Sequence, residues 1–383
     1  MRTERRRPVK KSLDNTTMKQ APGARPETLL CPPYDMRGEM NWIDFSGTEN
    51  PQGTPASFIK AAADAVSAGA GAYLPDREAH TLRSALAKIF GLPVESFLVG
   101  STVAEMMHAA AQAFLPGTVG ISMPCPHEYL LAIGNAGHKI VEIDSPAGFI
   151  TPYHDTLAER GLHIDAAVFA NPSYPTSRLL PKPVLKSYLD ACKWVIVDER
   201  AIELTLNGES MVGLVNEYRN LIVVQSFCAQ YALQGMPVSY LVAHPETIAQ
   251  VAGFFDNTCV SMFAEVFAKP ALEAHASLDT TREFLETEIP WLQCMLSLIP
   301  GIDIFPAEAN YVMCSFNHND ELHLGVKNVD ELCARAQLAG FLIRKLNGMP
   351  GLETNGYFCV SVRSREDNEK LIAALRKIID PRE

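Results

Sequence analysis

Residues 194–226, WVIVDERAIELTLNGESMVGLVNEYRNLIVVQS, hold two short β-branched apolar runs, 194-WVIVDE and 221-LIVVQS, separated by a polar stretch of crossover length. A continuous apolar run suits a strand covered on both faces, because nothing in it alternates toward water. The same unit recurs on either side, in 119-VGISM, 139-KIVEID, 166-AAVFAN and 238-VSYLVA, and the intervening lengths suit crossover helices. The pattern predicts an α/β fold with a large doubly wound, mostly parallel sheet. Ligands of such sheets sit beyond the carboxyl ends of the strands, where this chain has 171-NPSYPT, 198-DER and 226-SFC. After a helical stretch from about 261 to 300 the strands shorten, around 302-IDIFPAEANYVMCSF, 340-GFLIRKL and 357-YFCVSVR, and 366-EDNEKLIAALRKII closes the chain with helical spacing and a basic end. This reads as a smaller α+β domain. The expected division is a basic tail and N-terminal arm over 1–40, a segment over 41–72 joining the small domain, a large domain over 73–285 and the small C-terminal domain over 286–383.

The 383 residues are 47% hydrophobic and 20% charged, an ordinary globular composition. No window approaches the roughly eighteen apolar residues of a membrane span. The start, MRTERRRPVKKSLDNTTMKQ, has no apolar segment behind its charges and does not read as a secretory signal, so a cytoplasmic location is expected. The formal charge of -11 argues against nucleic-acid binding. The basic cluster Arg2, Arg5, Arg6, Arg7, Lys10 and Lys11 reads as a solvated tail rather than a polyanion-binding arm. Nine cysteines, with no C-x-x-C pair, favour reduced thiols over a disulfide framework.

From Asp44 to the C-terminus a series of landmarks follows in order: 44-DFSGTENPQG, 73-YLPDREAHTLR, 98-LVGSTVAE, 171-NPSYPTSRLLP, 195-VIVDE, 226-SFCAQYALQG, 308-EANYV, 340-GFLIR and 362-VRSREDNEKLIAALR. Together they resemble the class I/II aminotransferases of fold type I, and within that family threonine-phosphate decarboxylase and histidinol-phosphate aminotransferase. The resemblance implies a pyridoxal-phosphate (PLP) site in which a lysine amine forms the Schiff base and moves the substrate proton. Ala229 stands at that lysine's place, and no lysine occurs between Lys193 and Lys269. Pro237 replaces the arginine that clamps the cofactor phosphate. Tyr174 and Ala201 replace an asparagine and a tyrosine at the phenolic oxygen, Ser177 replaces a glycine, and Cys359 replaces the arginine for the substrate carboxylate. Other parts of the pattern remain. Asp198 matches the partner of the pyridine nitrogen, Ser101, Thr102 and Ser226 match the phosphate cradle after Gly100, Tyr73 matches a tyrosine lent by a neighbouring subunit, and Arg344 and Arg363 match arginines at the substrate end.

A buried Asp198 without a pyridinium partner must find another cation, gain hydrogen bonds or stay protonated, and Arg200 is a candidate cation. Alternatively Tyr174 and its neighbours fill the cofactor volume and Asp198 only bonds backbone amides. A different reading takes Cys125, His127, Cys228 and Cys359 as converging on one crevice above Asp198, either as soft metal ligands or as a thiol with an imidazole base, although their spacing is no metal signature. A last reading places a displaced lysine, with Lys345 the nearest candidate, in a working PLP enzyme. The expectation is an aminotransferase-like homodimer, or a subunit beside an active homologue, that holds no covalent PLP. It binds a small anionic, phosphorylated metabolite with Ser101, Thr102 and Ser226 at the phosphate end and Arg344 and Arg363 at the other.

Overall fold

In the computed structural model, which describes residues 42–145, 148–275, 277–318, 324–352, 356–380 and 382, each apolar run quoted above forms a strand. In chain order these are β1 (Ile43–Phe45), β2 (Phe97–Gly100), β3 (Thr118–Ser122), β4 (Lys139–Ile143), β5 (Ala166–Ala170), β6 (Trp194–Asp198), β7 (Leu221–Ser226), β8 (Ser239–Ala243), β9 (Ile302–Ile304), β10 (Tyr311–Phe316), β11 (Phe341–Lys345) and β12 (Tyr357–Ser361). The basic N-terminal cluster and Cys31 lie outside the described residues.

The large sheet has the order β2-β8-β7-β6-β5-β3-β4. Strands β4, β3, β5, β6 and β7 run parallel. β8 is antiparallel to both neighbours, β7 and β2. The link from β7 to β8 carries only the four-residue helix Phe227–Gln230 and a turn, too little to return the chain across the sheet, so β8 doubles back. Alternation along the strands sorts side chains into two layers. Val195, Val197, Val223 and Phe169 face one apolar layer, together with Phe58 and Leu185 from helices Ala56–Ser67 and Lys182–Leu189. Trp194, Ile196, Ile222 and Val168 face the other, closed by helices Val103–Gln112 and His127–Asn135. The crossover from β6 to β7 departs from the expected helix and forms two 3-10 turns, Ile202–Leu204 and Met211–Leu214. Glu199, just past the carboxyl end of β6, holds this segment by accepting from the Ser210 hydroxyl at 2.6 Å and the Met211 amide at 2.7 Å.

The smaller sheet has the order β1-β11-β12-β10-β9, with β1 parallel to β11 and the other pairs antiparallel. Its Val312, Cys314, Phe358 and Val360 pack against the long helix Ser277–Ser297 and the helices Val329–Leu338 and Arg365–Ile379. The opposite face presents Tyr311, Met313 and Cys359 toward the carboxyl ends of the large sheet. The loop after β1 ties the two sheets together, because buried Asn50 donates through its amide to the Ala229 carbonyl at 2.8 Å and through Nδ2 to the Gln230 carbonyl at 2.9 Å. Among the described residues no helix is long and apolar enough to cross a membrane.

Candidate active site

β6 ends in two acids whose side chains leave opposite faces of the sheet. Asp198 follows Trp194 and Ile196 onto the face covered by helix His127–Asn135, and its side chain is 1% exposed. Tyr129 donates its hydroxyl to Asp198 Oδ2 at 2.6 Å. Arg200, just past the strand end, folds back: its Nε donates to the same oxygen at 2.8 Å, its backbone amide donates to Oδ1 at 3.0 Å, and Nη2 also contacts Oδ2. Nη2 reaches Glu128 Oε1 at 2.5 Å as well. Arg200 is therefore the cation that a buried Asp198 requires. Burial works to lower the guanidinium's pKa, but the charges of Asp198 and Glu128 outweigh it and hold the value well above normal. Burial, and next the Asp198 charge, push the Tyr129 phenol well up, so Tyr129 acts as a donor.

The facing wall comes from the small sheet and from 171-NPSYPT. Cys359 and Arg344 are partners across β12 and β11, so Arg344 projects from the same face as Tyr311 and Cys359. Its Nε is buried and has no hydrogen-bond partner. The Tyr174 hydroxyl lies against the Arg344 guanidinium, and the Tyr174 and Tyr311 rings pack at 5.5 Å. Burial raises the Tyr174 phenol, with nearby Cys359 adding to the shift and Arg344 opposing it. Between the walls lies a cavity of about 590 Å³ whose lining includes Tyr129, Tyr174, Asp198, Arg200, Tyr311 and Arg344, together with Asp44, Glu49, Glu128 and Gln234. Arg200 and Arg344 are its cations, and no lysine stands among the described lining residues.

A family model described as aminotransferase class I and II matches residues 40–375. The chain belongs to this family. It is 26% identical over 318 residues to histidinol-phosphate aminotransferase of Chlorobaculum tepidum, covering 79% of this chain and 85% of that one. It is also 26% identical over 343 residues to threonine-phosphate decarboxylase of Salmonella typhimurium, covering 88% and 91%. In three dimensions it resembles histidinol-phosphate aminotransferase from Sinorhizobium meliloti in complex with pyridoxal-5'-phosphate, with a TM-score of 0.77, 17% identity and coverage of 96% and 97%.

Against this aminotransferase frame, the site residues expected from sequence divide. Asp198, Tyr174 and Arg344 line the cavity. The phosphate-end residues are not among its lining residues, and each bonds within the chain. Ser101 donates its hydroxyl to the Cys259 carbonyl at 2.6 Å, Thr102 and Glu105 form a reciprocal capping box, and Ser226, buried, donates to the Val238 carbonyl at 3.3 Å while accepting from Cys228 N at 3.1 Å and the Ser239 hydroxyl at 3.0 Å. Arg363 is not among the lining residues but bonds to two that are, donating to the Asp44 carbonyl at 2.6 Å and pairing with Glu49 at 2.8 Å. Ala229 is buried in the apolar cluster of the small domain. Tyr73 is 77% exposed.

The thiols and imidazole do not converge. Cys125 is buried beneath helix His127–Asn135, and burial pushes its thiol up to about 12. Cys359 sits among Tyr311 and Met313 and is likewise pushed up by burial to about 12. Cys228 is half-buried on helix Phe227–Gln230, and His127 opens its helix toward solvent. Burial thus disfavours the thiolate form of both Cys125 and Cys359. Among the described residues no group of three or more His, Cys, Asp and Glu side chains is placed to hold a metal. Lys345 points away from Arg344 and pairs with Asp330 at 2.8 Å. Sequence reasoning passed over Glu128 and Tyr129, which stand in the same 124-PCPHEY segment as Cys125 and His127. The signal was there: Tyr129, Ala132 and Ile133 form the buried stripe of that helix, and this stripe turns position 129 inward and His127 outward.

Proposed function

We propose that this family member does not use PLP as an imine and instead holds a small anionic ligand in the cavity between its two sheets. The observation that carries the reading is Arg344, whose buried Nε lacks a partner in a cavity with no described lysine. A guanidinium presents a planar fork of donors that suits a carboxylate or phosphate oxygen pair. PLP does not fit the donor set. No described primary amine lines the cavity, Arg200 and Tyr129 already occupy the carboxylate that the family pattern reserves for the pyridine nitrogen, the Ser101 and Ser226 hydroxyls donate to the chain's own carbonyls, and the Thr102 hydroxyl accepts from the Glu105 amide. The scattered thiols give the thiol and metal readings no support, and the Lys345–Asp330 pair gives the displaced lysine none. The reading takes the protein to be a cytoplasmic homodimer, with an active homologue as the alternative partner. The described cysteines are all unpaired, as a reducing compartment would keep them.

The test has two arms. Purified protein treated with stoichiometric PLP and borohydride is expected to carry no pyridoxyl group on any cavity peptide. Benzoate, used as a probe carboxylate in calorimetry, is expected to bind the native chain and to lose at least tenfold in affinity in Arg344→Gln. A pyridoxyl adduct mapped to the cavity, or benzoate binding indifferent to Arg344→Gln, overturns the reading.

A further inference from the structure

The sign of the charge that this cavity selects is not explained by its composition. Its lining holds four carboxylates, Asp44, Glu49, Glu128 and Asp198, against the guanidiniums of Arg200 and Arg344, a balance that would draw a cation. The contacts redistribute that charge. Glu49 is paired with Arg363 from outside the lining, whereas Asp44 keeps its charge and accepts from the Ser46 amide and hydroxyl at 2.8 and 2.6 Å. Asp198 and Glu128 are both held by a single residue, Arg200, whose Nε and Nη2 grip one Asp198 oxygen while Nη2 also bridges to Glu128 at 2.5 Å. Arg200 is tethered two residues from Asp198, so its local concentration far exceeds that of any free cation.

Resting on the anion-binding reading above, we propose that Arg200 is the specificity-determining residue of the cavity: by occupying Asp198 and Glu128 it makes an acid-rich pocket select a small carboxylate over a protonated nitrogen base of the same shape. Arg344 is then the cation left to meet the ligand. Without Arg200, Asp198 faces the cavity with only the Tyr129 hydroxyl as its side-chain partner, and an amidinium or similar cation satisfies it better than water can.

Benzoate and benzamidine share a ring and differ in charge, so calorimetry of the full chain with this pair separates sign from shape. The native chain is expected to bind benzoate at least tenfold more tightly than benzamidine. Arg200→Gln is expected to reverse that order, with benzamidine gaining at least tenfold and benzoate weakening, and Arg200→Lys is expected to keep the native order. Glu128→Gln removes the charge of an acid that is one-third exposed and leaves Arg200 with Asp198 as its one carboxylate partner among the described residues. It should tighten benzoate at least threefold, and it decides the matter if Arg200→Gln does not fold. If Arg200→Gln keeps the native preference, or Glu128→Gln leaves benzoate unchanged, the proposal falls even while loss of benzoate in Arg344→Gln upholds the anion site. If the native chain binds neither probe, the anion-site reading fails and the proposal fails with it, even where Arg200→Gln acquires benzamidine.

Discussion

Asp198 and Glu199 are neighbours in the chain with opposite surroundings, because a strand turns successive side chains to opposite faces. Asp198 meets a guanidinium, while Glu199, 1% exposed, meets only neutral donors: Ser210, the Met211 amide, Asn171 and Gln225. Burial pushes Glu199 up from 4.5 to about 7 against the pull of those hydrogen bonds. In the unfolded chain the carboxyl titrates normally, so between these values the folded chain keeps a proton that the unfolded chain has released. The associated stability is complete below about pH 4.5 and is lost as pH rises through about 7, amounting to at most about 3 kcal/mol. Urea denaturation at about pH 5 and pH 8 is expected to show native stability falling across that interval and Glu199→Gln falling less. Parallel curves would mean that Glu199 titrates normally. The Asp198–Arg200 pair was legible in the sequence, since an acid at a strand end and a cation two residues on lie within reach of each other. Tyr129 as the third member was not, since it arrives from a segment 69 residues away.

The walls of the cavity are set by how elements meet. The turn after β11 presses on the turn after β3: Cys125 donates its amide to the Pro350 carbonyl at 3.2 Å, and a Cβ on Gly351 would lie 2.7 Å from Met123 Cβ and 2.8 Å from Pro124 Cα. Gly351 also has φ +84°, a conformation that side chains disfavour. Gly351→Ala is expected to cost about 1–3 kcal/mol in denaturant unfolding and to weaken benzoate, because this contact sets the Arg344 strand against the helix bearing Tyr129. Gly348 serves as the control: its φ is +74° and nothing lies within 4 Å of its Cβ position, so Gly348→Ala carries the backbone cost alone. Equal losses in the two variants would argue against the contact. Ser177 has φ 60°, where the family pattern has glycine. Its hydroxyl accepts from the Glu308 and Ala309 amides at 3.1 and 2.7 Å, which accounts for a serine in a left-handed turn. Strand positions were readable from apolar runs, but the β6–β7 crossover was not, because the Glu199 contacts that hold it as 3-10 turns are tertiary.

At the scale of the whole molecule, several large apolar side chains near the start of the described chain are left exposed. Ile59 and Val66, seven residues apart on helix Ala56–Ser67, are 54% and 62% exposed, and Tyr73 and Leu74 beyond them are 77% and 81% exposed. Such a surface is expected to meet a second copy of the chain. Sedimentation velocity at micromolar concentration should give twice the mass of one chain, and Leu74→Asp should shift the population toward monomer without changing the circular dichroism spectrum. A native monomer would remove the homodimer from the proposal. The two-sheet α/β architecture, the membership in the aminotransferase family and the absence of a lysine between residues 193 and 269 can all be read from the linear chain. Apolar periodicity and motif order are local properties, and local properties survive without coordinates. The phosphate-end hydroxyls bonded within the chain, the thiols parted into separate cores, the pairing of Arg363 with Glu49 and the grip of Arg200 on Asp198 and Glu128 emerged only on folding. Each depends on which backbone or carboxylate lies within about 3 Å of a side chain, and that distance is settled by packing between segments far apart in the chain.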